Sequence, residues 1–396
     1  MAATNVYGNG INSTAGANTV VHYYDRAGVE SATEVNVYGQ FADRKSMPTK
    51  YGKTFKISKW LHIYDRELTD GDFAKFGYLT SRDIADVTNG LMATDGTGVA
   101  LTEGAGVTNK RSIKKITMET SFASYGEMVD YTDEVDLFSE DYIQVQYRKE
   151  LGYLANRRYE DLIQLDMLGT TNVMYAGVAS SMETMGQGIA ANGSKDDLFR
   201  VSFDLIRKAS RKLVRNRAKK NTKIVTGSTK IDTRTINKAF YAIIGPEVKY
   251  DLETITDPVG DLAYIPAYKY ASATNLAEGE VGAMHDVRFI ESESQVVYRG
   301  QGATVPAGYV GNLAYTGTIG SGAKFDVFPI LFPTEGSFAT VGLKGHGKIK
   351  FMSQSPDKVE LSNPYGTKGF FSYRFWYAGI ILQEEKLLKV LVCAGK

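Results

Sequence analysis

Residues 131–141 read YTDEVDLFSED, and five of the eleven are carboxylates: Asp133, Glu134, Asp136, Glu140 and Asp141. Such a run invites two chemistries, a divalent-metal site or a general acid–base pair in a hydrolase. Both need carboxylates that converge in a pocket with histidine or other partners. The four histidines, His22, His62, His285 and His346, are isolated, and no HExxH, HxH or Cys/His spacing occurs. There is no GxSxG nucleophile elbow and no GxxxxGK phosphate loop; GSTK at 227–230 has the wrong order. The turn EGAG (103–106) lacks the strand before and the helix after that a dinucleotide fingerprint requires. A plainer assignment is favoured. Asp136, Ser139, Glu140 and Asp141 fall just ahead of, or in, the first turn of a long helix, where unpaired N–H groups and the macrodipole favour anions. Ser139 or Asp136 caps it, and Phe138 and Ile143 staple its entry. A metal-dependent hydrolase using Asp133, Glu134 and Asp136 ranks last for want of a histidine partner. No catalytic, cofactor-binding or metal residue is assigned.

One other charge signal stands out. RKASRKLVRNRAKKNTK (207–223) holds nine Lys or Arg, among them Arg207, Lys208, Arg211, Lys212 and Arg215. Such a run tracks phosphates without base readout, or forms the solvated face of a helix that buries Leu198, Val201, Leu205, Ile206 and Leu213. The second reading is favoured, and the two are compatible. No aromatic residue interleaves the run as single-strand binding would ask.

The elements that carry these residues follow from periodicity. The first fifty residues are rich in Gly, Asn, Ala, Thr and Ser and read as an extended arm. KTFKISKWLHIY (53–64) puts Phe55, Ile57, Leu61 and Ile63 on one parity, and 113–122 repeats the pattern with Ile116, Met118 and Phe122. Period two predicts two strands, joined across a long polar insert into a projecting ribbon, with a short helix in 72–92. An exposed ribbon requires a partner to cover it. In 143–168, Ile143, Tyr147, Leu151, Leu154, Leu162 and Leu165 recur at threes and fours, which predicts a long amphipathic helix stopped at Gly169. A second helix is predicted near 196–218, a buried strand at 222–229 and a third helix at 233–243. Short strands with Gly-rich turns are expected from 245 to 370, then two long apolar strands to the C-terminus.

Composition bounds the classes. The chain has 396 residues, 46 Lys+Arg against 45 Asp+Glu, 25 Tyr and one cysteine, Cys393. The charge balance lacks the footprint of a dedicated nucleic-acid-binding domain. One cysteine excludes an intramolecular disulfide framework and fits a reducing cytoplasm. The N-terminus lacks signal-peptide regions, and 369–382 is too short and polar to span a membrane. What remains is an arm, a ribbon, a long helix and long strands, shapes that make sense when other copies cover them.

PTKYGKTFKISKW (48–60), ALTEGAG (100–106), 116–141, the long helix and LGTTNVMYAG (168–177) together resemble the major capsid proteins of short-tailed phages of the Schitoviridae type. The matching positions are Tyr125, Gly126, Tyr131, Thr132 and Asp133, then Gly169, Thr170, Val173, Tyr175 and Ala176, with YRFWYAGIILQEEKLLKV (373–390) similar too. The resemblance is specific over about 40–180; the middle, 180–360, matches by layout. The insert between LTDGD and LTEG departs from the family by its length. The resemblance implies an α+β fold of the HK97-like type. Residues 1–50 would be the N-terminal arm, 51–124 the extended loop, and 125–221 the peripheral domain with its spine helix at about 139–168. Residues 222–345 would be the axial domain, and 346–396 the return to the peripheral domain. It implies self-assembly into hexamers and pentamers around double-stranded DNA, with no reaction catalysed and no cofactor. It also implies a portal protein at one vertex, scaffolding and decoration proteins as partners, no membrane partner, and assembly in the host cytoplasm. Lys53, Lys56, Lys110, Lys114, Lys115, Asp133 and Glu134 are expected at contacts between subunits. Arg207, Lys208, Arg211, Lys212 and Arg215 are expected on a DNA-facing or inter-subunit surface. The rival readings are a tail-tube or decoration protein and an encapsulin-type shell.

Overall fold

A computed structural model describes residues 36–60, 113, 115–138, 143–225, 233–270, 276–347, 349–359 and 363–396. The short helix expected in 72–92 and most of the arm lie outside these residues. The chain is α+β and divides into two compact units. Among described residues the larger draws on Glu34–Glu127, Gly152–Met352 and Ser372–Lys396, and the smaller on Met128–Leu151 and Ser353–Phe371.

The larger unit is organised by a mixed sheet. Its strands run in the order Val173–Tyr175, Leu388–Val392, Phe328–Phe332, Thr233–Ile244, Val287–Glu291, Glu280–Met284, Ile265–Pro266, and Asn221–Val225 also pairs with Thr233–Ile244. Phe328–Phe332 and Leu388–Val392 are buried at every position, as strands covered on both faces must be. Thr233–Ile244 overturns the helix predicted at 233–243. Ile236, Phe240 and Ile243 fall at helical spacing, but every residue from Ala239 to Ile244 is buried. Periodicity alone does not separate a fully buried strand from a helix.

The helix predicted at 196–218 is two helices, Asp196–Phe199 and Phe203–Arg215. The break falls at Ser202, extended at φ −135° and ψ 157°, whose hydroxyl accepts from the Leu205 N–H at 3.3 Å. That is an N-cap. Phe203–Arg215 buries Leu205, Ile206, Ala209 and Leu213, with Val201 just ahead of it, in the same core as the sheet; Leu198 is exposed instead.

The long helix runs Ile143–Leu168, as the periodicity predicts. Its buried stripe differs: Leu151, Ala155, Ile163 and Met167 are inward together with two polar residues, Glu160 and Gln164, whereas Leu165 is 55% exposed. Gly169 ends the helix without left-handed backbone. The C-terminal region holds three strands rather than two: Lys368–Tyr377, Gly379–Ile381 and Leu388–Val392. Gly379 marks the interruption, because a Cβ there would stand 2.1 Å from Asp166 Oδ2.

In the smaller unit Tyr131 stacks on Phe371 with centroids 5.2 Å apart, and the Arg148 guanidinium lies over the Phe371 ring, 5.1 Å from its centre. The Asp133 N–H donates to Thr367 O at 3.0 Å.

Candidate functional site

The ribbon pairs Thr54–Trp60 antiparallel with Lys115–Ser121, from Thr54 opposite Ser121 to Trp60 opposite Lys115. Phe55, Ile57 and Met118 turn inward onto Met47, Phe122, Val341 and Ile380. The outer face carries two of the expected lysines, Lys56 and Lys115, and a third, Lys53, is exposed just ahead of the strand. Lys56 pairs with Glu119 at 2.8 Å, both well exposed, and each holds the other's charged form: the lysine is raised and the carboxyl lowered. The Lys115 ammonium sits 5.3 Å from the Trp60 ring centre, a cation–π contact on a ring that is 62% exposed. Lys53 has no ion pair among the described residues; its carbonyl accepts from the Phe122 N–H at 3.1 Å. Lys110 and Lys114 lie outside the described residues.

Sequence reasoning missed Lys59. Its side chain is 19% exposed and forms an ion pair with Glu385, which is 6% exposed, fixing the ribbon to the body. Parity was the available signal, since Lys59 shares the inward side with Phe55 and Ile57.

Beside that pair the long helix ends in a polar joint. Thr171 donates to Glu384 Oε2 through its N–H and its hydroxyl, both at 2.9 Å. The Thr170 hydroxyl reaches Leu387 O at 3.1 Å, and Asn172 Nδ2 reaches Glu385 O at 3.1 Å. Lys389, lowered by burial, donates to Leu168 O at 2.7 Å. GTTN (169–172) therefore closes the helix end against 384–389. Gly126 has an equally local cause: a Cβ there would meet Tyr373 O at 2.5 Å.

The first part of the acidic run belongs to a separate helix and not to the long one. Asp133 and Glu134 open a separate short helix, Asp133–Phe138, which also contains Asp136. The long helix has no acid in its first turn, and Phe138 is 84% exposed. Ser139, Glu140 and Asp141 lie outside the described residues. Among the described residues no group of three or more His, Cys, Asp or Glu is placed to hold a metal ion.

The basic helix presents Arg207, Lys208, Arg211 and Arg215 outward. Lys208 pairs with Asp204 at 2.6 Å, and Arg207 lies over Phe203. Lys212 departs from the expected surface: it is half-buried, its ammonium is lowered by burial, and it donates to Val173 O at 3.3 Å.

A groove of about 620 Å³ runs beside the long helix, lined in part by Tyr125, Arg157, Arg158, Leu162, Leu165 and Tyr373. Within it Arg158 meets Glu127 at 3.0 Å and Asp161 at 3.6 Å. Its lining combines apolar side chains with the Arg158 ion pairs and with Glu293, Ser294 and Gln295 on the facing segment.

An arrangement of this kind, a two-stranded ribbon anchored at its base, a long helix and a mixed sheet, is the HK97-like fold of phage capsid proteins. Structures that share it over nearly the whole chain include the capsid of Ralstonia phage GP4, at a TM-score of 0.57 and 10% identity, covering 98% of this chain and 99% of that one. Others are the capsid of cyanophage P-SCSP1u, at 0.54 and 11% with 97% and 96% covered, and that of Helicobacter pylori bacteriophage KHP30, at 0.54 and 8% with 99% and 100% covered. In sequence the chain is similar to the major capsid protein of Pseudomonas phage KPP21, 29% identical over 392 residues, 95% of this chain and 93% of the relative. No family model matches. The chain is a shell-forming major capsid protein of a tailed phage, assembled from copies of itself into the virion capsid.

Proposed function

We propose that copies of this chain form pentamers and hexamers that close into an icosahedral shell around double-stranded DNA, catalysing no reaction. The observation that carries this reading is the likeness to the KPP21 major capsid protein across 95% of the chain. The domain plan is arm 1–50, extended loop 51–124, peripheral domain 125–221 and 346–396, and axial domain 222–345. The ribbon lies on a neighbouring subunit, where Lys53 and the exposed Lys56 and Lys115, with Lys110 and Lys114, meet carboxylates. Asp133 and Glu134 face a neighbour's loop. Arg207, Lys208, Arg211 and Arg215 make non-specific phosphate contacts or line a subunit boundary; Lys212, turned inward, supports the helix. A portal protein, scaffolding and decoration proteins are its partners, and assembly takes place in the host cytoplasm. Many contacts, each of modest strength, add up once the shell closes.

Electron microscopy of the purified protein and of particles from infected cells tests this. Closed icosahedral shells or capsomers are expected. Helical tubes, attachment only to finished shells, or a monomer under all conditions would overturn it.

A further inference from the structure

One end of the mixed sheet exposes apolar side chains. Its terminal strand among the described residues is Ile265–Pro266, with Ile265 opposite Ala283 and Pro266 opposite Gly282. Tyr264 anchors this edge in the core, and Gly282 makes room for it, since a Cβ there would stand 2.3 Å from the Tyr264 ring. Alternation then leaves Leu262 and Ile265 exposed on either side of Tyr264. The loop just ahead is tightly built: the Ala263 N–H donates to Ile255 O at 3.0 Å, and Asp257 Oδ1 accepts from the Val259 and Gly260 N–H groups, both at 2.9 Å, and from the Asp261 N–H at 3.0 Å. It holds Val259 out at 85% exposure, and beyond the strand Tyr268 is 82% exposed, with Tyr250 exposed as well. Single exposed apolar residues are ordinary, but five between 250 and 268 make a patch that a partner covers. A two-residue strand containing Pro266 offers an incoming strand at most one N–H, so the cover must come from side-chain packing. Glu253 and Asp261 give the patch an acidic rim, and Glu253 and Tyr268 both lie near the Tyr264 phenol. Of the cations there, Lys249 is paired with Glu291 at 2.6 Å and Lys269 lies over the Tyr268 ring.

The same chain carries a complementary surface. The helix Phe203–Arg215 turns Arg207, Lys208 and Arg211 outward beside the exposed Val214, and the Lys208–Asp204 pair lies in water, where it is readily exchanged. A closed ring of identical copies needs two different faces, each meeting the other on the next copy. An apolar face rimmed by carboxylates and a basic helix with an apolar residue on its outer side meet that need, whereas two copies of either face would set like charges together. We propose that the 250–268 edge of the sheet docks a second copy of this chain, packing against the outer side of the neighbour's Phe203–Arg215 helix with Glu253 and Asp261 facing Arg207, Lys208 and Arg211. On the reading of the chain as a ring-forming shell subunit, on which this rests, the basic helix is then a subunit boundary rather than a phosphate track.

Two charge-reversal variants of the full chain test it: Glu253→Lys with Asp261→Lys on the edge, and Arg207→Glu with Arg211→Glu on the helix. In either one, the yield of capsomers and shells, scored by sedimentation and electron microscopy, should fall about tenfold or more, because like charges then face each other at every contact. Yield should recover when all four changes stand in one chain. Normal yield in either variant, or no recovery in the combined chain, overturns the proposal while shell assembly by the unmodified protein stands. A second measurement needs no variant. Unmodified particles assembled from isotopically light and heavy copies are treated with a carbodiimide, which joins a carboxylate to a lysine in direct contact. A mixed light–heavy link from Glu253 or Asp261 to Lys208 is expected. If the variants do not fold, that link decides alone, and its absence overturns the proposal. An unmodified protein that forms neither capsomers nor shells overturns the underlying reading and the proposal with it.

Discussion

Lys59 and Lys56 sit three residues apart on one strand, and burial separates their roles. Lys56 pairs with Glu119 in water, where side-chain entropy and screening cancel most of the gain. Lys59 meets Glu385 out of water, and losing either partner strands the other. Lys59→Ala should therefore lower stability by about 3 kcal/mol in denaturant unfolding of the unassembled subunit. Lys59→Met with Glu385→Leu should recover most of that, since an apolar pair of similar volume needs no desolvation. A single variant with unchanged stability would mean the pair is solvated in solution. The sequence exposed half of this: alternation shows which side Lys59 faces, but Glu385 lies 326 positions away. Glu160 was hidden for the same reason. Its partners are backbone groups of Tyr38 and Gly39, and a charged residue inside a helical run reads as solvent-facing.

At the scale of elements, legibility tracked how local the cause was. The long helix was readable over Ile143–Leu168, because its apolar residues recur at threes and fours within the element itself. Its buried stripe was misread, because Leu162 and Leu165 line a groove while Glu160 and Gln164 take core positions. Thr233–Ile244 was read as a helix because its burial on both faces comes from strands far along the chain. Asp136 was read as leading into the long helix but sits within a separate short helix, Asp133–Phe138, which nothing in YTDEVDLFSED announces. The break before Phe203 depends on a single cap, and that makes it testable. Ser202→Ala should cost about 1 kcal/mol, seen as a lower denaturation midpoint with an unchanged slope. Ser202→Asp, which keeps an acceptor and adds a charge at the helix start, should restore it. If both variants behave as the unmodified protein, the turn at Arg200–Ser202 is fixed by packing around Phe199 and Val201 instead.

For the whole molecule, the ribbon distinguishes a stable subunit from a competent one. Its inner side is spoken for by Phe55, Ile57, Met118 and Lys59, which belong to the subunit's own core and ion pair. Its outer side contributes little to the fold, so changes there should act on assembly alone. The variant Lys53→Gln, Lys56→Gln, Lys115→Gln removes three exposed cations, two on the outer face and one just ahead of it, while leaving Trp60 and every inward contact. Subunit unfolding should stay as in the unmodified protein, and shell yield, scored by sedimentation and electron microscopy, should fall. The unmodified protein should itself assemble less well as salt rises, because exposed charges more than about 8 Å apart are largely screened at physiological ionic strength. The triple variant should lose most of that salt dependence along with its yield. An unchanged yield with an unchanged salt response would place the ribbon's adhesive surface elsewhere, at the exposed Trp60 ring before any other residue described there.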